Sequence, residues 1–134
     1  MTQVPQEIRE VFEKAKTIAM STSSQEAVPN VAYIGMWWWE DDQTICVVNN
    51  YMKKTLKNIE TNPRVSFAAM LRSQDKTKSY QIKCEAEIQM KGALYDKARK
   101  IAAERERPGK SVIVCKVREI YNSSSGESAG DRLA

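Results

Sequence analysis

The clearest pattern in the chain is the alternation between Tyr80 and Gln89. Tyr80, Ile82, Cys84, Ala86 and Ile88 fall on one side, and Gln81, Lys83, Glu85, Glu87 and Gln89 on the other. Successive side chains of a strand point to opposite faces, so this segment is a strand with one apolar and one polar face. Just upstream, Val65, Phe67, Ala69 and Leu71 face away from Ser66, Ala68 and Met70, and the polar group from Ser73 to Lys78 links the two. Ser111 to Tyr121 and Thr44 to Val48 are rich in β-branched residues and read as strands, as does Thr17 to Thr22. Ser23 to Val28 is a polar turn. From Pro29 the chain runs extended and apolar through Trp39, and Glu40 to Gln43 then forms the tip of a hairpin with Thr44 to Val48.

Helical spacing occurs three times. Ile8, Val11, Phe12 and Ala15 mark an opening helix with Pro5 at its first position. Leu56 and Ile59 give a short second helix one apolar face, and Asn62-Pro63 stops it. Leu94, Ala98, Ile101 and Ala102 form a third, which ends before Pro108-Gly109. The order is helix, three strands, short helix, two strands, helix, strand. It predicts a mainly β, α+β fold: a six-stranded antiparallel barrel or sandwich with helices at its ends, not a doubly wound sheet. A chain of 134 residues suits one domain, here 1–121, followed by a small polar tail over 122–134 that is expected to be mobile.

Charge and composition narrow the function mainly by exclusion. Lys and Arg outnumber Asp and Glu by 21 to 17, and an excess of +4 is too small to announce a nucleic-acid partner. There is no histidine, which removes Ser-His and Cys-His nucleophile pairs and histidine metal sites. Cys46, Cys84 and Cys115 are far apart, follow no metal-ligand spacing, and lie in apolar or alternating segments. They read as buried thiols in a reducing compartment, and no metal is expected. The N-terminal residues contain no apolar core of a signal peptide, and the apolar run from Val31 to Trp39 is too short to span a bilayer. The expectation is a soluble cytoplasmic protein without a membrane partner. Redox chemistry, if present, would fall to a bound cofactor.

Two stretches carry candidate chemistry. In VNNYMKKTLKN, from Val48 to Asn58, lysines stand where a helix should begin. The partial positive charge of a helix N-terminus disfavours lysine there. Asn49, Asn50, Lys53, Lys54, Thr55 and Lys57 together offer the donors that a phosphate needs. The alternative is a solvated helix face capped by Asn50. In the second stretch, Trp37 and Trp39 share one strand face and Trp38 takes the other. One face would meet the core, while a helix, a second subunit or a planar ligand covers the other. Base stacking is a weaker reading, because no lysines are interleaved. Glu40 to Asp42 reads as a solvated turn, and Arg99 to Arg107 as a charged helix face. No side chain stands out as a catalytic acid or base.

PNVAYIGM, followed by VVNNYMKKTLKNIETNPRV, resembles the flavin-binding core of the pyridoxamine 5′-phosphate oxidase-like split-barrel proteins, and SYQIKCEAEI resembles that family's next long strand. The likeness covers most of residues 5–121. It implies a six-stranded split barrel of Greek-key type, usually a homodimer, with FMN held between subunits. Carried over by position, Ala32, Tyr33 and Ile34 would lie along the flavin ring, and Val48, Asn49 and Asn50 would follow at the next strand's end. Lys54 and Thr55 match the family's phosphate-binding Lys-Thr pair, with Lys53 in support. Partner-chain residues, with aromatics such as Trp38 among the candidates, would complete the ring site. Tyr33 stands where many relatives have proline, and Cys84 near a position where many have a small residue. The chain lacks the C-terminal extension with which pyridoxamine phosphate oxidases hold substrate, so that particular activity is not expected. The resemblance implies an FMN-dependent oxidoreductase, with a flavin-binding electron carrier or storage protein and a deazaflavin-dependent reductase as alternatives.

Overall fold

The structure, a computed structural model, describes residues 2–134. Its elements in chain order are α1 (Gln6–Ala15), β1 (Ile18–Ser23), β2 (Pro29–Ile34), β3 (Trp37–Asp41), β4 (Thr44–Asn49), α2 (Lys54–Thr61), β5 (Arg64–Ser73), β6 (Lys76–Gln89), α3 (Ala93–Glu104) and β7 (Ser111–Asn122). The alternating segments set the register. β5 and β6 pair antiparallel with Val65 opposite Cys84 and Phe67 opposite Ile82, so both apolar rows face the same core. β7 continues from β6, with Ile82 opposite Ile120 and Ala86 opposite Cys115.

All pairings in the sheet are antiparallel, in the order β2-β1-β5-β6-β7-β4-β3. This corrects the expectation of six strands in a barrel: among the described residues there are seven, and the sheet they form is not closed. The apolar run from Pro29 to Trp39 is two strands, β2 and β3, parted at Gly35 and Met36. Hydropathy is continuous across that break, so the pattern could not reveal it. The Trp37 indole N–H donates to the Lys16 carbonyl at 2.7 Å and fastens the start of β3 beside the end of α1. β2 and β3 thus form the two edges of one sheet while being neighbours in the chain.

Two apolar clusters flank the sheet. The larger receives Ile8, Val11 and Phe12 from α1. There the Phe12 ring meets Trp39 edge-on at 5.7 Å and Trp37 at 6.4 Å between centroids, the geometry favoured by ring quadrupoles. On the opposite face of β4 and β7, Ala98 and Ala102 of α3 pack on Cys46, Val48, Val112 and Val114. Both faces of β4 are therefore covered, and all six of its residues are buried. Trp38 joins this second cluster, with the Lys97 ammonium 4.8 Å from its ring centroid and its indole N–H donated to Glu40. A helix of the same chain covers the second face of the tryptophan strand.

Pro5 precedes α1 rather than occupying its first turn. The three cysteines are buried and free. Burial pushes the Cys46 thiol up to about 12 and raises those of Cys84 and Cys115 as well. Residues 130–134 turn back along β7. The Leu133 N–H donates to the Ile120 carbonyl at 2.7 Å, and the Gly130 N–H to that of Asn122 at 2.7 Å.

Candidate functional site

A cavity of about 450 Å³ opens where the ends of β2 and β4 meet the start of α2. Its walls follow from the chain's turns. β2 contributes Ala32, Tyr33 and Ile34, and the break after it contributes Gly35 and Met36. Val48 and Asn50 come from the end of β4, Tyr51, Met52 and Lys53 from the link to α2, and Thr55 from the first turn of that helix. Arg105, just past α3, closes the remaining side.

Of the residues singled out in the sequence, this cavity brings together Ala32, Tyr33, Ile34, Val48, Asn50, Lys53 and Thr55. Asn49 and Lys54 lie elsewhere. Asn49 is buried, donates its amide to the Ser111 hydroxyl at 2.9 Å, and accepts the Met52 N–H at 2.9 Å. It shapes the turn into α2. Lys54 lines a neighbouring cavity of about 590 Å³ with Lys57, Ser24, Asn30 and Asn58. Asn50 does not cap α2. Its side-chain oxygen accepts the Gly109 N–H at 2.9 Å, and α2 begins after Lys53 with no side-chain cap.

A buried polar network fixes the first turn of α2 against the sheet. The Asn30 amide donates to the Thr55 hydroxyl oxygen at 3.2 Å. The Asn58 amide donates to the Thr22 hydroxyl oxygen at 3.0 Å. These bonds join β1, β2 and α2, so the free backbone N–H groups at the head of α2 hold a set direction.

The charge of the cavity is one-sided. Lys53 and Arg105 are its charged lining residues, and no carboxylate lines it. The first turn of α2 contains no acidic residue to neutralise the helix's positive end. The donor set of ammonium, hydroxyl, carboxamide and helix N–H groups therefore fits a phosphate, while Ala32, Ile34 and Val48 offer an apolar wall to a flat ring.

A larger cavity, about 730 Å³, lies on the sheet between Arg64, Lys83, Arg118, Glu85 and Glu119. Its charges largely answer one another. Arg118 pairs with Glu85 at 2.9 Å. Glu119, held below the usual carboxylate range by the Tyr121 hydroxyl bonded to it, also faces Arg132. Size alone does not make it the better anion site. Among the described residues, no group of three or more His, Cys, Asp or Glu side chains could hold a metal ion.

Sequence reasoning missed Arg105. It sits in the run from Arg99 to Arg107, where one charge looks like the next. What sets it apart is that it lines one cavity with Gly35 and Met36, from which it is remote in sequence. No local spacing carries that information.

The fold and this cavity place the chain among known proteins. The pyridoxamine 5′-phosphate oxidase family model matches residues 4–124, and the chain belongs to that family. An uncharacterized protein of Methanocaldococcus jannaschii is 34% identical over 121 residues, covering 87% of this chain and 79% of that protein. The crystal structure of Group A Streptococcus HupZ superposes with a TM-score of 0.82 at 29% identity, over 95% of this chain and 99% of that one. An FMN-binding protein from Syntrophomonas wolfei shares the fold, with a TM-score of 0.73 at 23% identity, over 89% and 90% of the two chains.

Proposed function

We propose that the chain binds FMN in the cavity between β2, β4 and α2 and serves as an FMN-dependent oxidoreductase. The observation that carries this reading is a carboxylate-free cavity with phosphate donors at the head of α2 and an apolar wall along β2. Lys53, the Thr55 hydroxyl and the α2 N–H groups would hold the phosphate, with the Asn50 amide within the same lining. The apolar part of the ring would lie on Ala32, Ile34 and Val48, beneath Tyr33. Lys54 faces the adjoining cavity and adds its charge to the field around the same helix end. Bound FMN supplies hydride and single-electron transfer, and the protein's part is to position the ring and tune it. The lining includes no carboxylate, thiol or imidazole, so its residues orient the ring rather than carry protons near neutral pH.

The second copy belongs to the same proposal. Val31 and Tyr33 on the edge strand β2 are 69% and 83% exposed, a poor arrangement for apolar side chains beside a cofactor unless another chain covers them. A homodimer with FMN between subunits satisfies that requirement.

FMN titration followed by absorbance and fluorescence quenching tests the reading, with sedimentation for the dimer. The expected result is a yellow complex of one FMN per chain in a dimer. A protein that takes up no FMN would overturn the cofactor assignment, and a monomeric complex the dimer.

One observation favours a second reading. The cavity holding Lys54 and Lys57 adjoins the head of α2, so an anionic chain longer than a single phosphate has somewhere to go. A deazaflavin cofactor with an acidic tail would use it. Tighter binding of the deazaflavin than of FMN, lost on Lys57→Ala, would select that reading.

A further inference from the structure

The two cations of the candidate cavity reach it from different elements, Lys53 from the residue before α2 and Arg105 from the residue after α3. Thr55, two residues past Lys53, is bonded to Asn30 near the start of β2. Arg105 lies beside Gly35, just beyond the end of that strand. Five residue steps of extended chain lead from Asn30 to Gly35, about 16 Å at the rise of a strand. A single phosphate can answer the charge at one end only. Arg105 forms no ion pair among the described residues and caps the end of α3 with its backbone.

The loop that carries Arg105 is built against the site. Its far side is pinned by the Gly109 N–H bonded to the Asn50 carboxamide at 2.9 Å and by the Lys110 N–H bonded to the Asn49 carbonyl at 2.8 Å. Gly109 packs so closely on α3 that an added Cβ would stand 2.9 Å from the Ala102 Cβ, and its φ of +55° is one that side-chain-bearing residues seldom adopt. Near its base the Arg107 N–H returns to the Ala102 carbonyl at 2.9 Å. Arg105 is thus held at the cavity mouth by the same segment that supplies Asn50 to its wall.

We infer that Arg105 is a positioning residue that faces the flavin ring and stabilises its reduced form. The inference rests on the FMN reading given above. When two electrons from a reductant such as dithionite and one proton from water enter the neutral flavin ring, the product is a monoanion at neutral pH, with its charge on the pyrimidine side. A guanidinium facing the ring attracts that monoanion more than the neutral oxidised ring, and so binds reduced FMN more tightly. The Lys53 end, occupied by phosphate in both states, makes no such distinction.

The test is the two-electron potential of FMN bound to the wild type, Arg105→Ala and Arg105→Lys, measured at equilibrium with a reference dye during dithionite reduction. Arg105→Ala is expected to favour oxidised over reduced FMN by about tenfold, which lowers the potential by about 30 mV for a two-electron couple. Arg105→Lys is expected to retain most of the wild-type value. Three outcomes would overturn the inference. An unchanged potential in Arg105→Ala with FMN bound removes the residue from the ring and leaves the FMN reading standing. Equal shifts in both variants show that charge is not the cause. Failure of the wild type to bind FMN removes both the reading and the inference.

Discussion

The amide of Asn30 donates to the hydroxyl oxygen of Thr55 at 3.2 Å, fastening the first turn of α2 to β2. Thr55 is 6% exposed, so its hydroxyl serves the fold and faces the candidate site at once. Thr55→Val keeps the shape and leaves the Asn30 amide only its longer bond, 3.4 Å, to the Thr22 hydroxyl oxygen. The expected loss is about 1–3 kcal/mol of stability, read from urea unfolding, together with weaker FMN binding. Thr55→Ser should restore both. A valine variant as stable as the wild type would show that this bond contributes nothing.

The placement of the two lysines separates their roles. Lys53 lines the candidate cavity and Lys54 the adjoining one. A hydrogen bond to a charged group contributes roughly 1.5–3 kcal/mol, so Lys53→Ala is expected to weaken FMN binding by about ten- to a hundredfold. Lys54→Ala, acting through the field alone, should cost less and lose its effect in high salt. Fluorescence titration at two ionic strengths checks both. The reverse ranking would put the phosphate in the Lys54 cavity.

Gly109 is open to a direct substitution test. Gly109→Ala must accept a φ of +55° and relieve contacts of 2.9 Å with the Ala102 Cβ and 3.1 Å with the Arg99 Cα. Strain of this kind costs on the order of 1–3 kcal/mol. The thermal midpoint should fall accordingly, whereas an alanine variant that melts with the wild type would mean that the loop yields freely.

The buried thiols give the protein an alkaline weakness. Burial raises Cys46 from an ordinary 9.0 to about 12, so between these values the unfolded chain releases a proton that the folded chain keeps. The unfolded state then binds fewer protons, and stability falls as pH rises. Each such thiol contributes a slope of up to about 1.4 kcal/mol per pH unit in that window. Urea midpoints should drop between pH 9 and pH 11, and Cys46→Ala should make the decline shallower. An identical slope in that variant would contradict the assignment.

Much of this architecture is written in local pattern. The alternation through Tyr80 to Gln89 and Val65 to Leu71 sets the central hairpin, because a one-residue slip would turn Ile82 and Phe67 outward. The split at Gly35 and Met36 was hidden because a bend between two apolar strands leaves hydropathy unchanged. The segment around Lys53 and Thr55 stood out as a local conflict, cations at the positive end of a helix. Arg105 shows no such conflict where it stands, and its place depends on α3 packing over β4 and on the Asn50–Gly109 bond. Asn49, grouped with the candidate donors, is occupied by Ser111 and Met52, partners that only the folded chain brings to it.

The return of the last residues along β7 has a bearing on how copies of this chain can meet. β7 is paired with β6 on one side, and on the other with β4 as far as Lys116. Past that point the Val117 N–H finds the Gln43 carbonyl, Ile120 is bonded to Leu133, and Asn122 to Asp131 and Gly130. The upper half of β7 therefore offers little unpaired backbone on which a foreign strand could grow. β2 and β3 stand at the ends of the sheet order, so any strand-to-strand joining between molecules would fall on those two borders.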